Sequence, residues 1–171
     1  MNGLEILGSD EYIDVAGIKK VPAKVDTGAD SSSVWASHIR VNKDGVLCFR
    51  LFDEESPYYT GKTLKRTNFK VAVVRSSIGH EQIRYRTHLL FKIKGRKIKA
   101  MVTLSDRSKN SFPVLIGRRT ISGKFVVDVS KNHTMVRQKG HKTKLVQKKF
   151  REDPYKFHCE YIEKAKKGVK K

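Results

Sequence analysis

Asp26, Thr27, Gly28 and Ala29 stand directly behind the apolar run "VPAKV", and Asp30 and three serines follow at once. A carboxylate at the end of a strand can act as a general base if small residues let the backbone close around it. The same residues also suit an ordinary turn, in which Asp and Thr bond nearby backbone groups and Gly supplies positive φ. A second stretch favours chemistry. "FPVLIGRRTI" (112–121) is an apolar strand that closes on Ile116, Gly117 and Arg118. Hydrolysis by carboxylate-activated water needs this pairing: a carboxylate held under a loop by a neighbouring apolar strand and a glycine.

Other reactive patterns fail on spacing. "GKT" at 61–63 has Ser56 where a phosphate-binding loop needs its first Gly, and no apolar helix follows it. The histidines at 38, 80, 88, 133, 141 and 158 form no HExxH pair, and Cys48 and Cys159 make neither a CxxC nor a disulfide framework. A metal site would have to be assembled from scattered residues; no metal and no cofactor is expected. No serine lies in a G-x-S-x-G elbow, and no RNA-reading aromatic signature is present.

The elements that must position Asp26 read as strands. "EYIDVAG" alternates, Gly17 with Lys19 and Lys20 reads as a turn, and "VPAKVD" resumes as a strand. "GVLCFRLFD" (45–53) places Val46, Cys48, Arg50 and Phe52 on one face and Leu47, Phe49 and Leu51 on the other. "FKVAVVRSS" (69–77) is β-branched, and 83–106 reads as a hairpin turning at Lys94-Gly95-Arg96. Short strands are also expected at 112–117 and 124–130, with a short helix near 118–122. Residues 75–85 read either as a flap-like, site-lining loop or as a plain hairpin turn. The pattern implies an all-β sandwich or barrel over residues 1–135. Residues 136–171 read as a basic tail, partly helical from Pro154; residues 137–171 hold thirteen Lys/Arg against four Asp/Glu.

"AKVDTGADSSSVWA", "VRSSIGHEQIRYR" and "TLSDRSKNSFPVLIGRRTISGKFVVDVSK" resemble, in this order, the RimK-associated retropepsin-like family, often labelled "ATP-dependent zinc protease". Its RimB members act on poly-glutamate tails. The resemblance runs from about Glu5 to Lys131 and implies a retropepsin-like closed β-barrel. It makes Asp26 the catalytic carboxylate, Thr27, Gly28 and Ala29 its loop, and Ile116, Gly117 and Arg118 the supporting turn. One chain carries one such loop and aspartic chemistry needs two carboxylates, so the resemblance implies a symmetric homodimer. This chain departs from the family in having Asp30 after Ala29 and Val34-Trp35-Ala36 after the serines.

Lys+Arg 37 against Asp+Glu 17 leaves a net charge of +20, a field that gathers anions. An acidic polypeptide such as poly-α-glutamate fits it, with Arg107, Arg118, Arg119 and Asp30 as candidate substrate contacts. For Arg107 and Arg118 the alternative is structural, bracing loops through Asp106, Asp128 or backbone carbonyls. A rival class is a non-catalytic nucleic-acid- or ribosome-binding protein on the same fold, anchored by the basic tail. No signal peptide or membrane span is evident, so a cytoplasmic protein with no membrane partner is expected.

Overall fold

The computed structural model describes residues 4–75, 81–134, 136 and 141–163. Its chain divides into two compact units, Met1–Val136 and Arg137–Lys171. The first unit contains strands β1 (Glu5–Leu7), β2 (Asp10–Val15), β3 (Ile18–Asp26), β4 (Ser32–Val41), β5 (Leu47–Leu51) and β6 (Thr63–Arg66). It continues with β7 (Lys70–Arg75), β8 (Glu81–Ile93), β9 (Arg96–Ser105), β10 (Val114–Gly117), the single-turn helix α1 (Arg118–Ile121) and β11 (Phe125–Val127).

Six strands close into a barrel. Around the ring, β3 pairs with β2, β2 with β8, β8 with β9, β9 with β4, and β4 with β10, which returns to β3. Strands β5 and β6 extend outward from β4, and β7 from β8, while β1 and β11 form a separate parallel pair. This is the all-β barrel expected from the sequence. Closure leaves β10 short and buried at all but the half-buried Leu115, parallel to β3 and antiparallel to β4. A strand covered on both faces can be apolar throughout, and "VLIG" is. Ile116 is fully buried, a burial worth on the order of 1.5–3 kcal/mol.

Two hairpins set the register of the barrel. Ala16-Gly17 joins β2 to β3, and Lys94-Gly95 joins β8 to β9, with all four residues at positive φ. Paired positive φ in a two-residue loop matches the twist of the flanking strands. Lys19 and Lys20 therefore belong to β3 rather than to the turn, and Arg96 pairs with Ile93 inside the ladder. The alternation expected at 45–53 also fails at one residue. Phe52 takes φ +63 and is fully buried, edge-on to Trp35 at 6.3 Å and tilted against Tyr58 at 5.7 Å. Left-handed backbone at a bulky residue costs about 1–3 kcal/mol, and this aromatic packing offsets it. Strand β11 is shorter than the expected 124–130, ending where Asp128 turns the chain back through its bonds to Ser130.

Buried acids fasten the end of the first unit. Asp10 Oδ1 accepts from the backbone N–H of His133 and Thr134, while Glu11 meets His133 Nδ1 at 2.7 Å and Lys94 Nζ at 3.2 Å. The turn expected within 75–85 falls largely on residues 76–80, which lie outside the described residues. On either side of it, β7 and β8 pair from Lys70↔Arg86 to Arg75↔Glu81.

The second unit holds α2 (His141–Glu152), α3 (Pro154–Phe157) and a π-wound turn, His158–Glu163. Helix α3 begins at Pro154, as the sequence implies, capped by Asp153 accepting from Lys156 N–H at 2.9 Å. Phe157 stacks on Tyr161 with centroids 4.7 Å apart. No helix among the described residues is long and apolar enough to cross a membrane.

Gly117 is the tightest point of the barrel. A Cβ there would meet the Ser31 carbonyl carbon, lie 2.6 Å from its oxygen and lie 2.9 Å from Ser32 N. These are backbone atoms, which cannot swing aside as the end of a side chain can. Gly117→Ala is expected to cost about 1–3 kcal/mol, read as a lower urea midpoint at unchanged slope. An unchanged midpoint would contradict the close approach.

Candidate active site

Asp26 is the last residue of β3 and lies in register with Gly117, the last residue of β10. Beyond it the chain can no longer pair as a strand and folds back on the aspartate. Gly28 and Ala29 N–H both donate to Asp26 Oδ1, at 3.1 and 3.2 Å. Among the described residues Oδ2 carries no hydrogen bond. One oxygen is thus fixed by the loop while the other stays open, and the carboxyl group is half-buried. The Thr27 and Gly28 side of the loop is exposed.

The loop is held from beneath by β10 and α1. Arg118 N–H donates to Ala29 O at 2.9 Å, and Arg119 N–H to Asp30 O at 3.2 Å. Gly117 N–H donates to Ser32 Oγ at 3.0 Å, and that hydroxyl meets Thr120 Oγ1 at 2.8 Å, all of it buried. A buried polar group left unpaired costs roughly 1–3 kcal/mol, so this small network fixes where β10 sits against β4. Ser32 and Thr120 were not singled out in the sequence. Their signal was weak: one serine in a run of three, and a threonine in a stretch expected to form a short helix.

The expected substrate contacts divide into two groups. Arg118 and Arg119 are brought onto Asp30: Arg118 Nη2 lies 3.2 Å from Oδ1 and Arg119 Nε 2.9 Å from Oδ2. All three are partly exposed, and the two guanidinium groups balance the aspartate. Arg107 lies apart from them. It is buried, and its Nε donates to Phe112 O at 3.0 Å, bracing the loop before β10. Burial pushes the Arg107 guanidinium down to about 10, with the Arg84 charge adding to the effect and the Asp26 carboxylate opposing it. Asp26, Arg107 and Arg84 therefore share one electrostatic neighbourhood. Arg86 joins it through Ser31, donating from Nη2 to Oγ at 3.4 Å. Arg84 lies within the stretch 75–85 read as a site-lining loop or a plain turn, without being named; Arg86 was missed because a basic residue in a strand reads by default as solvated. Their signal is the two-residue spacing within "EQIRYRTHLL", which puts both on one strand face. Among the described residues no three His, Cys, Asp or Glu side chains group as metal ligands.

Comparison with known proteins agrees with the barrel fold. The model of a family described as "Retropepsin-like aspartic endopeptidase RimB" matches residues 6–138. Among curated proteins, a probable alpha-L-glutamate ligase of Shewanella pealeana is 29% identical over 132 residues, covering 74% of this chain and 29% of the relative. Its counterpart in Shewanella halifaxensis is 28% identical over 138 residues, covering 78% and 30%. The chain thus spans under a third of the length of these relatives. Among solved structures, a protein of unknown function from Legionella pneumophila shares the fold at TM-score 0.56 and 24% identity, over 76% of this chain and 97% of that one.

The Asp30 cluster yields a pH prediction. The hydrogen bond from Arg119, reinforced by Arg118, holds the Asp30 carboxyl below its ordinary value of 3.8. Because the folded value is depressed, the stabilising charge is fully present above 3.8 and is lost as pH falls through the lower folded value. A carboxyl NMR titration should place the Asp30 midpoint below 3.8, and Arg119→Gln should move it upward. A midpoint insensitive to that substitution would contradict the pairing.

Proposed function

The chain belongs to the RimB-like family of retropepsin-like aspartic endopeptidases, and from that premise we propose that it is an aspartic peptidase acting through Asp26 on acidic polypeptides such as poly-α-glutamate tails. The observation that carries this reading is the Asp26 carboxyl itself. It is half-buried at a strand end, with Oδ1 held by two backbone N–H groups and Oδ2 open. A residue serving only as a turn would have no need of the rigid strand and the close glycine beneath it.

The barrel supplies one such carboxyl, so the working site is a symmetric homodimer with Asp26 from each copy. The exposed Thr27 side of the loop is the surface through which the two loops meet. Two carboxylates about 3 Å apart cannot both ionise easily, so the pair holds one proton. The ionised member takes a proton from a water lying between them, and the water oxygen attacks the amide carbonyl. The protonated member donates a hydrogen bond to the developing oxyanion. Collapse of the tetrahedral intermediate breaks the C–N bond, and the leaving nitrogen takes a proton from the dyad. The products are a carboxylic acid and an amine, and no covalent enzyme intermediate forms.

Two features support an acidic substrate. The net charge of +20 draws polyanions toward the surface. The matched segments of the curated relatives also lie within proteins named for ligating glutamate, and a hydrolase acting on the bond so formed would reverse that reaction.

Replacing Asp26 by Asn keeps an oxygen for the Gly28 and Ala29 N–H groups while removing the base. Hydrolysis of poly-glutamate is expected to fall by about 10²–10⁴-fold or more, with the circular-dichroism spectrum and thermal midpoint nearly unchanged. Undiminished hydrolysis by Asp26→Asn would sink the proposal.

A further inference from the structure

Among the described residues, three arginines of the barrel pair with a carboxylate. Arg118 and Arg119 face Asp30, and Arg75 faces Glu81 at 2.6 Å. Arg50, Arg66 and Arg96 bond only neutral oxygens elsewhere on the barrel, whereas Arg84, Arg86 and Arg107 gather around the Asp26 loop. Among the described residues, none of the three forms an ion pair with a carboxylate. Arg84 Nε donates only to the neutral amide oxygen of Gln82, Arg86 Nη2 to the Ser31 hydroxyl, and Arg107 Nε to a backbone carbonyl. Arg86 Nε is buried and has no hydrogen-bond partner among the described residues.

Their placement follows from register. Arg84 and Arg86 stand two apart on β8, opposite Ala72 and Lys70 of β7, and Arg86 is also opposite Thr103 of β9. Thr103 is in turn opposite Ser33 of β4, the strand into which the Asp26 loop runs. Arg86 touches that loop at Ser31, and Arg107 follows β9 by two residues, within the field of Asp26. Three positive charges therefore crowd beside one carboxylate, with burial disfavouring the charged form of both Arg84 and Arg107. A fold gains nothing from such a cluster in isolation, because like charges repel and the Arg86 donor goes unused. An arriving anion would relieve the repulsion.

We propose that Arg84 and Arg86, backed by Arg107, form the subsite that receives a substrate carboxylate beside the scissile bond, and that this subsite makes the site selective for acidic residues. The inference rests on reading Asp26 as the reactive group. Arg107, pinned by the Phe112 carbonyl, supplies charge without moving. Arg84 and Arg86 supply the donors, whose planar fork suits a carboxylate and rejects a neutral amide of the same shape.

The test separates binding from hydrolysis. In the full-length Asp26→Asn protein, oligo-glutamate and oligo-glutamine binding is measured by titration calorimetry. Oligo-glutamate should bind at least about tenfold more tightly, and Arg84→Gln or Arg86→Gln should each remove about tenfold or more of that affinity. Neither change should alter oligo-glutamine binding. Arg86→Lys, which keeps the charge but not the planar fork of donors, should fall between. Lys97→Gln, which removes one charge from an exposed position of β9, should change little. With Asp26 intact, Arg84→Gln should raise KM for oligo-glutamate more than it lowers kcat. Equal affinity for the two peptides, or arginine variants no weaker than Lys97→Gln, would overturn the subsite while leaving Asp26-dependent hydrolysis standing. The expected binding pattern without hydrolysis by the wild-type chain would support the subsite and overturn the peptidase reading.

Discussion

The passage of Gly117 against the backbone of Ser31 and Ser32 is the constraint on which the site depends. Parallel pairing of β10 with β3 brings Gly117 level with Asp26, and antiparallel pairing with β4 brings it against the far end of the same loop. Any side chain at 117 would enter backbone atoms. With hydrogen there instead, the Gly117 N–H reaches Ser32 Oγ, and the next two N–H groups reach the carbonyls of Ala29 and Asp30. One close approach thus sets both ends of a five-residue loop and the direction of the aspartate at its start. The precision comes from packed backbone, which adjusts far less readily than an exposed loop.

Charge is organised by the same geometry. Asp30 lies four residues beyond Asp26 and, read from the sequence, would repel an acidic substrate. In the folded chain Arg118 and Arg119 face it from the start of α1, so its charge is balanced locally. Arg84, Arg86 and Arg107 add positive charge that no carboxylate pairs among the described residues. The local sign beside Asp26 is therefore set by β8 and the segment after β9. This also separates the arginines by use: Arg118 and Arg119 steady the loop, and those of β8 face what approaches it.

The barrel and the loop that carries Asp26 were legible because their signals are local. Short alternating strands, the Asp-Thr-Gly-Ala following an apolar run, and the wholly apolar "VLIG" each follow from residue order. The Lys94-Gly95 hairpin was legible to within one residue, and Pro154 marked a helix start. What escaped depends on contacts between distant segments. Ser32 meets Thr120 across 88 positions of sequence, and nothing near either residue announces the other. Phe52 leaves the alternating pattern because Trp35 and Tyr58 stabilise a backbone conformation it would not adopt alone. Arg86 looked solvated because its strand pattern is the ordinary one, and only the barrel turns that face toward Asp26. The long strand β4 was hidden by its start, Ser32 and Ser33, which continue the polar run of the loop until β10 and β9 pair with them.

The central claim is that two copies of Asp26 form one site, and subunit mixing tests it most directly. Wild-type and Asp26→Asn chains would be co-refolded at varied ratios at constant total protein, and poly-glutamate hydrolysis measured for each mixture. If each site needs Asp26 from both copies, activity falls as the square of the wild-type fraction. A linear fall would mean that a single chain carries a complete site, and the shared dyad would be wrong.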